Sequence, residues 1–212
     1  TTIGFIGAGE QAKSHLMTML HVRKGIKLCK VASRTHESEL KFINQMSRLY
    51  PNINFIACDS VYKSAVDDAD IIVTAISGQE MILKADWIKQ GALYCHVGGL
   101  EDEYAVPLKA TNIVCDDWEV VKHRTQTISR MFKEGLLQDS NIYCNLHQLV
   151  NKEIVGRANN TEFIYFNTVG MSFVDIILAN HMYKKVINHH IPTQITLQDK
   201  GMFDIDIAQI IL

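Results

Sequence analysis

The sequence predicts an α/β protein with a doubly wound parallel sheet of the nucleotide-binding Rossmann type, followed by C-terminal helices. Three observations support this prediction. Short apolar runs alternate with helical stretches from residue 2 to about residue 115. The runs are almost continuously apolar, as in strands that are covered on both faces. A glycine turn, Gly7-Ala8-Gly9, follows the first run and opens a helical stretch, which is the context of a dinucleotide-binding motif.

The alternating part contains six predicted strands, over residues 2–6, 26–32, 53–57, 71–75, 93–97 and 113–115. The first two helices are predicted over residues 11–23 and 37–49, where apolar residues recur at helical spacing. Beyond residue 116 we expect helices over 118–134 and 141–149, a strand over 161–166 and a long helix over 172–188. Residues 1–170 are the predicted nucleotide-binding domain, and residues 171–212 a C-terminal helix and tail.

Composition disfavours several classes of function. The net charge of −2 gives no electrostatic basis for a nucleic-acid or anionic-membrane partner. No apolar run approaches the ~20 residues that span a bilayer. The five cysteines have no C-x-x-C spacing and the nine histidines form no ligand cluster. We therefore expect buried thiols in a reducing cytoplasm, with no metal site and no disulfide framework.

The glycine turn predicts where a cofactor pyrophosphate binds. Gly7 permits a tight turn, Gly9 leaves room for the pyrophosphate, and Ala12 allows close packing of helix on strand. The phosphates would lie at the positive end of the helix that starts with Glu10 and Gln11. A glycine-rich turn without a ligand is the alternative. It is disfavoured because strand, motif, helix and second strand follow in the required order.

The end of the second strand bears on which nicotinamide cofactor is used. An NAD enzyme normally has Asp or Glu there, which binds the ribose 2′-hydroxyl. This chain has Ser33-Arg34-Thr35 instead, with no carboxylate before Glu37. A guanidinium beside two hydroxyls can hold a 2′-phosphate through charge-assisted hydrogen bonds. The sequence favours NADP(H) and leaves NAD(H) open; the alternative is that Arg34 is simply solvated.

Two further loops should meet the cofactor at the carboxyl edge of the sheet. They are Thr74-Ala75-Ile76, after the fourth strand, and Val97-Gly98, after the fifth. The second loop leads into an acidic stretch that includes Glu101 and Asp102. Carboxylates next to a nicotinamide could move protons. The alternative is a solvated loop or a helix N-terminus.

These residues resemble the ornithine cyclodeaminase/μ-crystallin family, in order and spacing, from residue 1 to about residue 190. Within the family, the resemblance is greatest to the branch that contains N-(2-amino-2-carboxyethyl)-glutamate dehydrogenase. The matching segments are Ile6 to Ala12, Ser33-Arg34-Thr35, Asp70 to Thr74, Val97-Gly98-Gly99, Asp116-Asp117-Trp118, Gly156-Arg157, and Thr168 to Met171 before a helix with Asp175.

The resemblance implies more than the residues alone. It places Thr168 near the nicotinamide and Val169 near the substrate, and it implies a homodimer. Family chains carry an N-terminal platform that binds the substrate carboxylate. Because this sequence lacks the platform and starts directly in its first strand, we expect a piece of a longer chain. Cyclodeaminases have an aspartate and a lysine where this chain has Leu100 and Tyr104. Asp102, or else Glu101, could supply a displaced carboxylate.

The predicted function is an NAD(P)-dependent oxidoreductase acting on the C–N bond of an amino acid, a ketimine or an N-carboxyalkyl amino acid. The resemblance points to siderophore or amino-acid metabolism. Two alternatives stay open. One is a crystallin-like protein that binds NADPH and a small ligand with little turnover. The other is an ammonia-releasing cyclodeaminase, which forms product without net change in the redox state of the cofactor.

Overall fold

The computed structural model describes residues 1–187, in two compact units, Thr1–Gly170 and a second that begins at Met171. The first unit is built on an eight-stranded sheet in which every pairing is parallel. Its strands are β1 (Thr2–Ile6), β2 (Leu28–Ala32), β3 (Asn54–Ala57), β4 (Ile71–Thr74), β5 (Leu93–His96), β6 (Asn112–Cys115), β7 (Ile142–Asn145) and β8 (Ile164–Asn167). The predicted fold class is confirmed.

Helices connect the strands. They are α1 (Glu10–Val22), α2 (His36–Leu49), α3 (Tyr62–Val66), α4 (Ala105–Lys109), α5 (Trp118–Val121), α6 (Thr127–Lys133) and α7 (Leu146–Val150), with α8 (Ser172–Ile187) in the second unit. Short 3-10 turns lie at Ala85–Trp87 and Asp139–Asn141. None of the helices within residues 1–187 has the length and apolar character needed to cross a membrane.

The strand order places the functional edge. The order is β3-β2-β1-β4-β5-β8-β6-β7, so the chain reverses direction of winding between β1 and β4. In open parallel sheets, ligands bind at this switch point, beyond the carboxyl ends of the strands. The register aligns Ile6 with Ala32 and Thr74, and His96 with Thr74 and Asn167. The loops that follow β1, β2, β4, β5 and β8 therefore open along one edge.

Two apolar clusters cover the two faces of the sheet, which explains why the strands read as continuous apolar runs. Side chains of one strand point alternately to opposite faces. Ile71 and Val73 of β4 belong to the cluster that packs α1 and α2 on one face. Ile72, between them, belongs to the larger cluster on the other face. All five cysteines are buried thiols.

The prediction of a helix over residues 141–149 is wrong. The segment forms β7 and then α7. Asn145 caps α7 through a reciprocal capping box with Gln148, so the helix cannot begin before it. The β-prone residues that precede Asn145 pair with β6 instead. Pairing across the sheet overrides local helical spacing here.

The single helix predicted over residues 118–134 is also wrong, because the structure divides it into α5 and α6. The break covers residues 122–126, and its last residue, Gln126, has an extended backbone (φ −71°, ψ 167°). Its side chain donates hydrogen bonds to carbonyl groups of two other loops.

In the second unit, α8 exposes its apolar side chains, with Ile176 exposed to 70%. Asn188 and the tail after Pro192 lie outside the described residues.

Candidate functional site

The glycine turn between β1 and α1 has the geometry of a phosphate-binding loop. Gly7 has φ +111°, and a Cβ there would collide with the Ala75 carbonyl oxygen. Gly9 precedes α1 with no side-chain cap, and a Cβ there would meet no atom within 4 Å. Ala12 is fully buried beneath the turn. The first amides of a 13-residue helix therefore face open space, which suits a bound phosphate.

A cavity of about 420 Å³ extends from this turn along the carboxyl edge. Its lining residues come from the loops after four strands: Gly7, Ala8, Gly9, Ser33, Arg34, Thr35, Ser38, Tyr62, Ala75, Ile76, Ser77, Gly78, Glu80 and Ile82. A larger cavity of about 680 Å³ lies at the opposite edge, beside Thr1, Asp70 and Leu93. Because parallel sheets bind ligands at their carboxyl ends, the smaller cavity is the candidate site.

The cavity brings together many of the predicted cofactor residues: Gly7, Ala8, Gly9, Ser33, Arg34, Thr35, Ala75 and Ile76. The other predicted cofactor residues do not line it: Glu10, Gln11, Ala12, Thr74, Val97, Gly98 and Thr168. Sequence reasoning missed Ser38, Tyr62, Glu80 and Ile82. Tyr62 opens the helix after β3, so its position beyond a strand end was the signal that could have found it.

In the loop after β2, Arg34 is exposed to solvent, whereas the hydroxyl groups of Ser33 and Thr35 make hydrogen bonds within the same segment. Among residues 1–187, Arg34 is exposed and makes no hydrogen bond or ion pair. The Ser33 hydroxyl donates to the Thr35 carbonyl at 2.8 Å. The Thr35 hydroxyl caps α2 by accepting from the Ser38 N–H at 3.4 Å. The free guanidinium is therefore the cation of this loop available to a ligand.

The buried carboxylate of Glu39 holds the backbone of the loop after β2 through hydrogen bonds. One of its oxygens accepts from the backbone N–H groups of Ser33 and Ser60, both at 2.8 Å. The other lies 3.1 Å from His36 Nδ1, which also contacts Asp59 at 3.0 Å. Within the part of the chain that the structure describes, His36, Glu39 and Asp59 form the group of side chains whose ligand atoms lie close enough together to hold a metal ion. Because both oxygens of Glu39 are already engaged, it holds the loop and is not available to a ribose hydroxyl.

Glu101 ties the loops after β4 and β5 together. It is fully buried, and one of its oxygens accepts from the Ile76 N–H at 2.7 Å. The other accepts from the Gly98 N–H at 3.0 Å and from the Thr74 hydroxyl at 2.6 Å. A Cβ on Gly98 would collide with this carboxylate. Glu101 therefore lies behind the loops that the cofactor was predicted to touch, not in the cavity itself.

Asp102 is also fully buried. Its Oδ1 accepts from the Thr127 hydroxyl at 2.7 Å and from the Tyr165 hydroxyl at 3.3 Å. Its Oδ2 has no hydrogen-bond partner among the described residues. Burial raises the pKa of Asp102 above its ordinary value, although His96 acts in the opposite direction. The same burial, with Asp102 nearby, holds the pKa of Tyr165 well above its usual range.

His96, Asn167 and Gln126 form a chain of hydrogen bonds at the ends of β5 and β8. His96 Nδ1 lies 2.6 Å from Asn167 Oδ1, and Asn167 Nδ2 donates to Gln126 Oε1 at 2.8 Å. His96 Nε2 faces Glu101 and Asp102 at 3.6 and 3.5 Å and has no hydrogen-bond partner among residues 1–187. Neither Asn167 nor Gln126 was predicted as a site residue from the sequence.

Asp116 holds the segment that contains the predicted substrate residue. It follows β6 directly and is almost fully buried, and its Oδ2 accepts from the N–H groups of Val169 and Gly170, both at 2.8 Å. Thr168 in turn donates its N–H to the His96 carbonyl at 3.1 Å. The loop after β8 is thus fixed to both neighbouring strands.

The carboxyl edge therefore has two parts. The open half comprises the loops at Gly7–Gly9, Ser33–Thr35 and Ala75–Gly78, which surround the cavity. The filled half comprises the loops at His96–Gly98 and Asn167–Thr168, which buried polar side chains support from beneath. A dinucleotide that crosses the switch point would lie along both halves, and the geometry of the glycine turn fits such a ligand.

Comparison with known proteins agrees with this geometry. The model of the ornithine cyclodeaminase/mu-crystallin family matches residues 1–190. N-((2S)-2-amino-2-carboxyethyl)-L-glutamate dehydrogenase from Staphylococcus aureus is 28% identical over 192 residues, covering 91% of this chain and 57% of the relative. A Delta(1)-pyrroline-2-carboxylate reductase from Bacillus cereus is 28% identical over 200 residues, covering 92% of this chain and 60% of the relative.

A solved structure shows the same fold. The Delta(1)-pyrroline-2-carboxylate reductase of Thermococcus litoralis, in complex with NADH and L-proline, superposes with a TM-score of 0.86 at 28% identity. The match covers 92% of this chain and 61% of that chain. The present sequence thus spans about 60% of the length of the relatives that it matches.

Proposed function

The chain belongs to the ornithine cyclodeaminase/mu-crystallin family, and from that premise we propose that it is the cofactor-binding part of a nicotinamide-dependent oxidoreductase that acts on C–N bonds. The observation that carries the proposal is the cavity at the switch point, bounded by Gly7 and Gly9 and by the exposed Arg34. Relatives named as dehydrogenases and reductases of amino acids and imines support it.

The proposed substrates are α-amino acids, cyclic ketimines or N-carboxyalkyl amino acids. A reduced nicotinamide bound here would supply a hydride to the carbon of the protonated imine, which then becomes the amine. The residues of this chain bind and orient the cofactor. The glycine turn receives the pyrophosphate, and the loops of the filled half, with Val169 on the substrate side, limit where the nicotinamide and the substrate lie. A homodimer is proposed on the family resemblance.

NADP(H) is the proposed preferred cofactor, with NAD(H) as the alternative. The support is Arg34, which is exposed beside the cavity and free of partners within residues 1–187. Glu39, the nearest buried carboxylate, is engaged with backbone amides and with His36. None of Ser33, Arg34 and Thr35 carries a carboxylate that would repel a 2′-phosphate at the end of β2.

Proton transfer by Asp102, or else by Glu101, stays a prediction. Both carboxylates are fully buried, so either would need the loop above it to open before touching a substrate. This burial favours a second candidate function, a protein that binds the cofactor and a small ligand with little turnover. Turnover of Asp102→Asn and Glu101→Gln, measured together with cofactor affinity, separates a chemical role from a supporting one.

The test of the proposed function uses the full-length protein with NADPH or NADH and a panel of cyclic and linear imino acids. Absorbance of the reduced cofactor follows the reaction. We expect oxidation of the cofactor that depends on the imine and matches the amine formed. Tight cofactor binding without oxidation would support the binding protein, and product without net cofactor change would support a cyclodeaminase. Absence of cofactor binding would overturn the proposal.

A further inference from the structure

Gln126 joins two loops of the filled half through its side chain. The residue lies in the break between α5 and α6 and is 4% exposed. Its Nε2 donates to the Gly98 carbonyl at 2.9 Å and to the Thr168 carbonyl at 2.8 Å. Gly98 follows β5 and Thr168 follows β8, so one amide group spans two adjacent strand ends. Both of its hydrogens are used.

Which atom donates and which accepts can be assigned for every hydrogen bond that links His96, Asn167, Gln126 and the two carbonyl groups. A backbone carbonyl can only accept, so the nitrogen of the Gln126 amide must face Gly98 and Thr168. Its Oε1 then accepts from Asn167 Nδ2, which turns Asn167 Oδ1 toward His96. That oxygen also only accepts. His96 must therefore carry a proton on Nδ1, and the chain runs in one direction from the ring to the two carbonyls.

The same contacts account for the extended backbone at Gln126, the last residue of the break between α5 and α6. Residues 118–134 have helical spacing, yet the backbone is extended at Gln126, where a continuous helix would carry the side chain elsewhere. A buried amide with all its partners satisfied fixes the position of whatever it contacts. The loops after β5 and β8 are therefore fixed relative to each other by a side chain from a third segment.

We propose that Gln126 is a positioning residue for the nicotinamide end of the cofactor, an inference that rests on the proposed function. The adenosine and pyrophosphate end fits the cavity of the open half, around Gly9 and Arg34. The rest of a dinucleotide crosses the switch point toward β5 and β8, where Gly98 and Thr168 stand. Holding these loops in advance lowers the ordering cost when the cofactor binds.

The experiment compares Gln126→Met with wild type in the full-length protein. Methionine has a similar length and no amide hydrogens, so both carbonyl contacts are lost. The matched control is Gln45→Met, since the side chain of Gln45 is exposed on α2 and makes no hydrogen bond within the described residues. Calorimetric titration uses two ligands. NADH spans both halves of the edge, whereas ADP-ribose is the same molecule without the nicotinamide.

We expect Gln126→Met to weaken NADH binding by about tenfold and to leave ADP-ribose binding within about twofold of wild type, which also shows that the variant is folded. Gln45→Met should change neither. Equal NADH affinity in Gln126→Met and wild type would overturn the inference, as would equal losses for both ligands. If wild type binds none of ADP-ribose, NADH and NADPH, the proposed function itself fails.

A second measurement tests the hydrogen-bond chain directly, first on wild type and then on Gln126→Met. Nitrogen-15 NMR identifies which ring nitrogen of His96 carries a proton. We expect a proton on Nδ1, and its signal should move in Gln126→Met because the amide of Asn167 is no longer held in one orientation. A His96 ring with its only proton on Nε2 would contradict the direction of the chain and with it the positioning role.

Discussion

At the ends of β1 and β2 the carboxyl edge is open: glycine backbone and exposed side chains surround a cavity of about 420 Å³. At the ends of β5 and β8 the same edge is filled, and fully or almost fully buried Glu101, Gln126 and Asn167 bind the loops from beneath. The open half offers room and unpaired donors. The filled half offers backbone already fixed in position.

Under the proposed function, this difference implies that the two halves serve different ends of the cofactor. A pyrophosphate needs free amides and space, and the open half has both at Gly9. A reacting ring needs a defined place, since small displacements of reacting atoms slow the chemical step strongly. Changes in the open half should therefore alter ligand binding with little effect on folding. Substitutions in the filled half should alter the free energy of unfolding and the binding of the nicotinamide end of the cofactor.

The largest expected effect is that of Gly9→Val. The branched side chain would occupy the space of the pyrophosphate, so binding of both NADH and ADP-ribose should fall by about 1,000-fold or more. Stability should change little, because Gly9 has ordinary negative φ (−82°) and no atom near its missing Cβ. Gly25→Val, at a turn where the nearest atom is 3.8 Å away, is the control. Unchanged ADP-ribose affinity in Gly9→Val would remove the pyrophosphate from this turn.

Glu101→Gln should show the opposite pattern. Glutamine keeps one acceptor oxygen but turns an NH2 group toward donors that the carboxylate now satisfies. Leaving such donors unpaired in the interior costs about 2–4 kcal/mol of unfolding free energy. Denaturant unfolding measures this loss, and Glu37→Gln at an exposed position of α2 is the control. A stable Glu101→Gln that has lost turnover would instead make Glu101 a chemical group.

Arg34→Ala tests the selectivity of the open half. Two charge-assisted hydrogen bonds to a 2′-phosphate, reduced by solvent exposure, predict a tenfold to hundredfold preference for NADPH, or about 1.4–2.8 kcal/mol. The variant should lose most of that preference and retain its affinity for NADH. Arg48→Ala, in the last turn of α2, is the matched control. A preference for NADH that survives in Arg34→Ala would show that the guanidinium points to solvent.

The smallest effect concerns the dependence of stability on pH in the filled half. Asp102 has a raised pKa in the folded protein because of burial, so the folded state binds this proton more tightly than the unfolded chain. Its contribution to stability is then present below the ordinary value of 3.8 and is lost as pH rises through the raised value. The stability of wild type relative to Asp102→Asn should fall over that window. A constant difference would show that Asp102 titrates normally.

The sequence predicted the open half more completely than the filled half, and the reason is the distance between partners along the chain. Gly7, Gly9 and Ala12 act within one turn, so strand, motif and helix appear together. Gln126 meets partners 28 and 42 residues away, and His96 meets Asn167 across 71 residues. A single sequence contains no local pattern for such contacts.

The two incorrect helices have the same origin. At residues 141–149, pairing of β7 with β6 outweighs helical spacing. At residues 118–134, α5 ends at Val121, and α6 begins only after Gln126, whose side chain binds two carbonyl groups distant in sequence. The acidic stretch shows how far prediction from single residues reaches. Glu101 and Asp102 were selected because they carry carboxylates, but their burial depends on the packing of distant strands.

The most direct test of the central claim, oxidoreductase chemistry at a C–N bond, follows the hydride itself. The full-length protein is given reduced cofactor that carries deuterium at both positions of C4, together with Δ1-pyrroline-2-carboxylate or a related imine, and the amine formed is examined by mass spectrometry. We predict that deuterium appears on the α-carbon, with cofactor oxidised and amine formed in equal amounts, and that Gly9→Val abolishes both. Product without deuterium, or no product from any imine while the cofactor binds, would contradict the account.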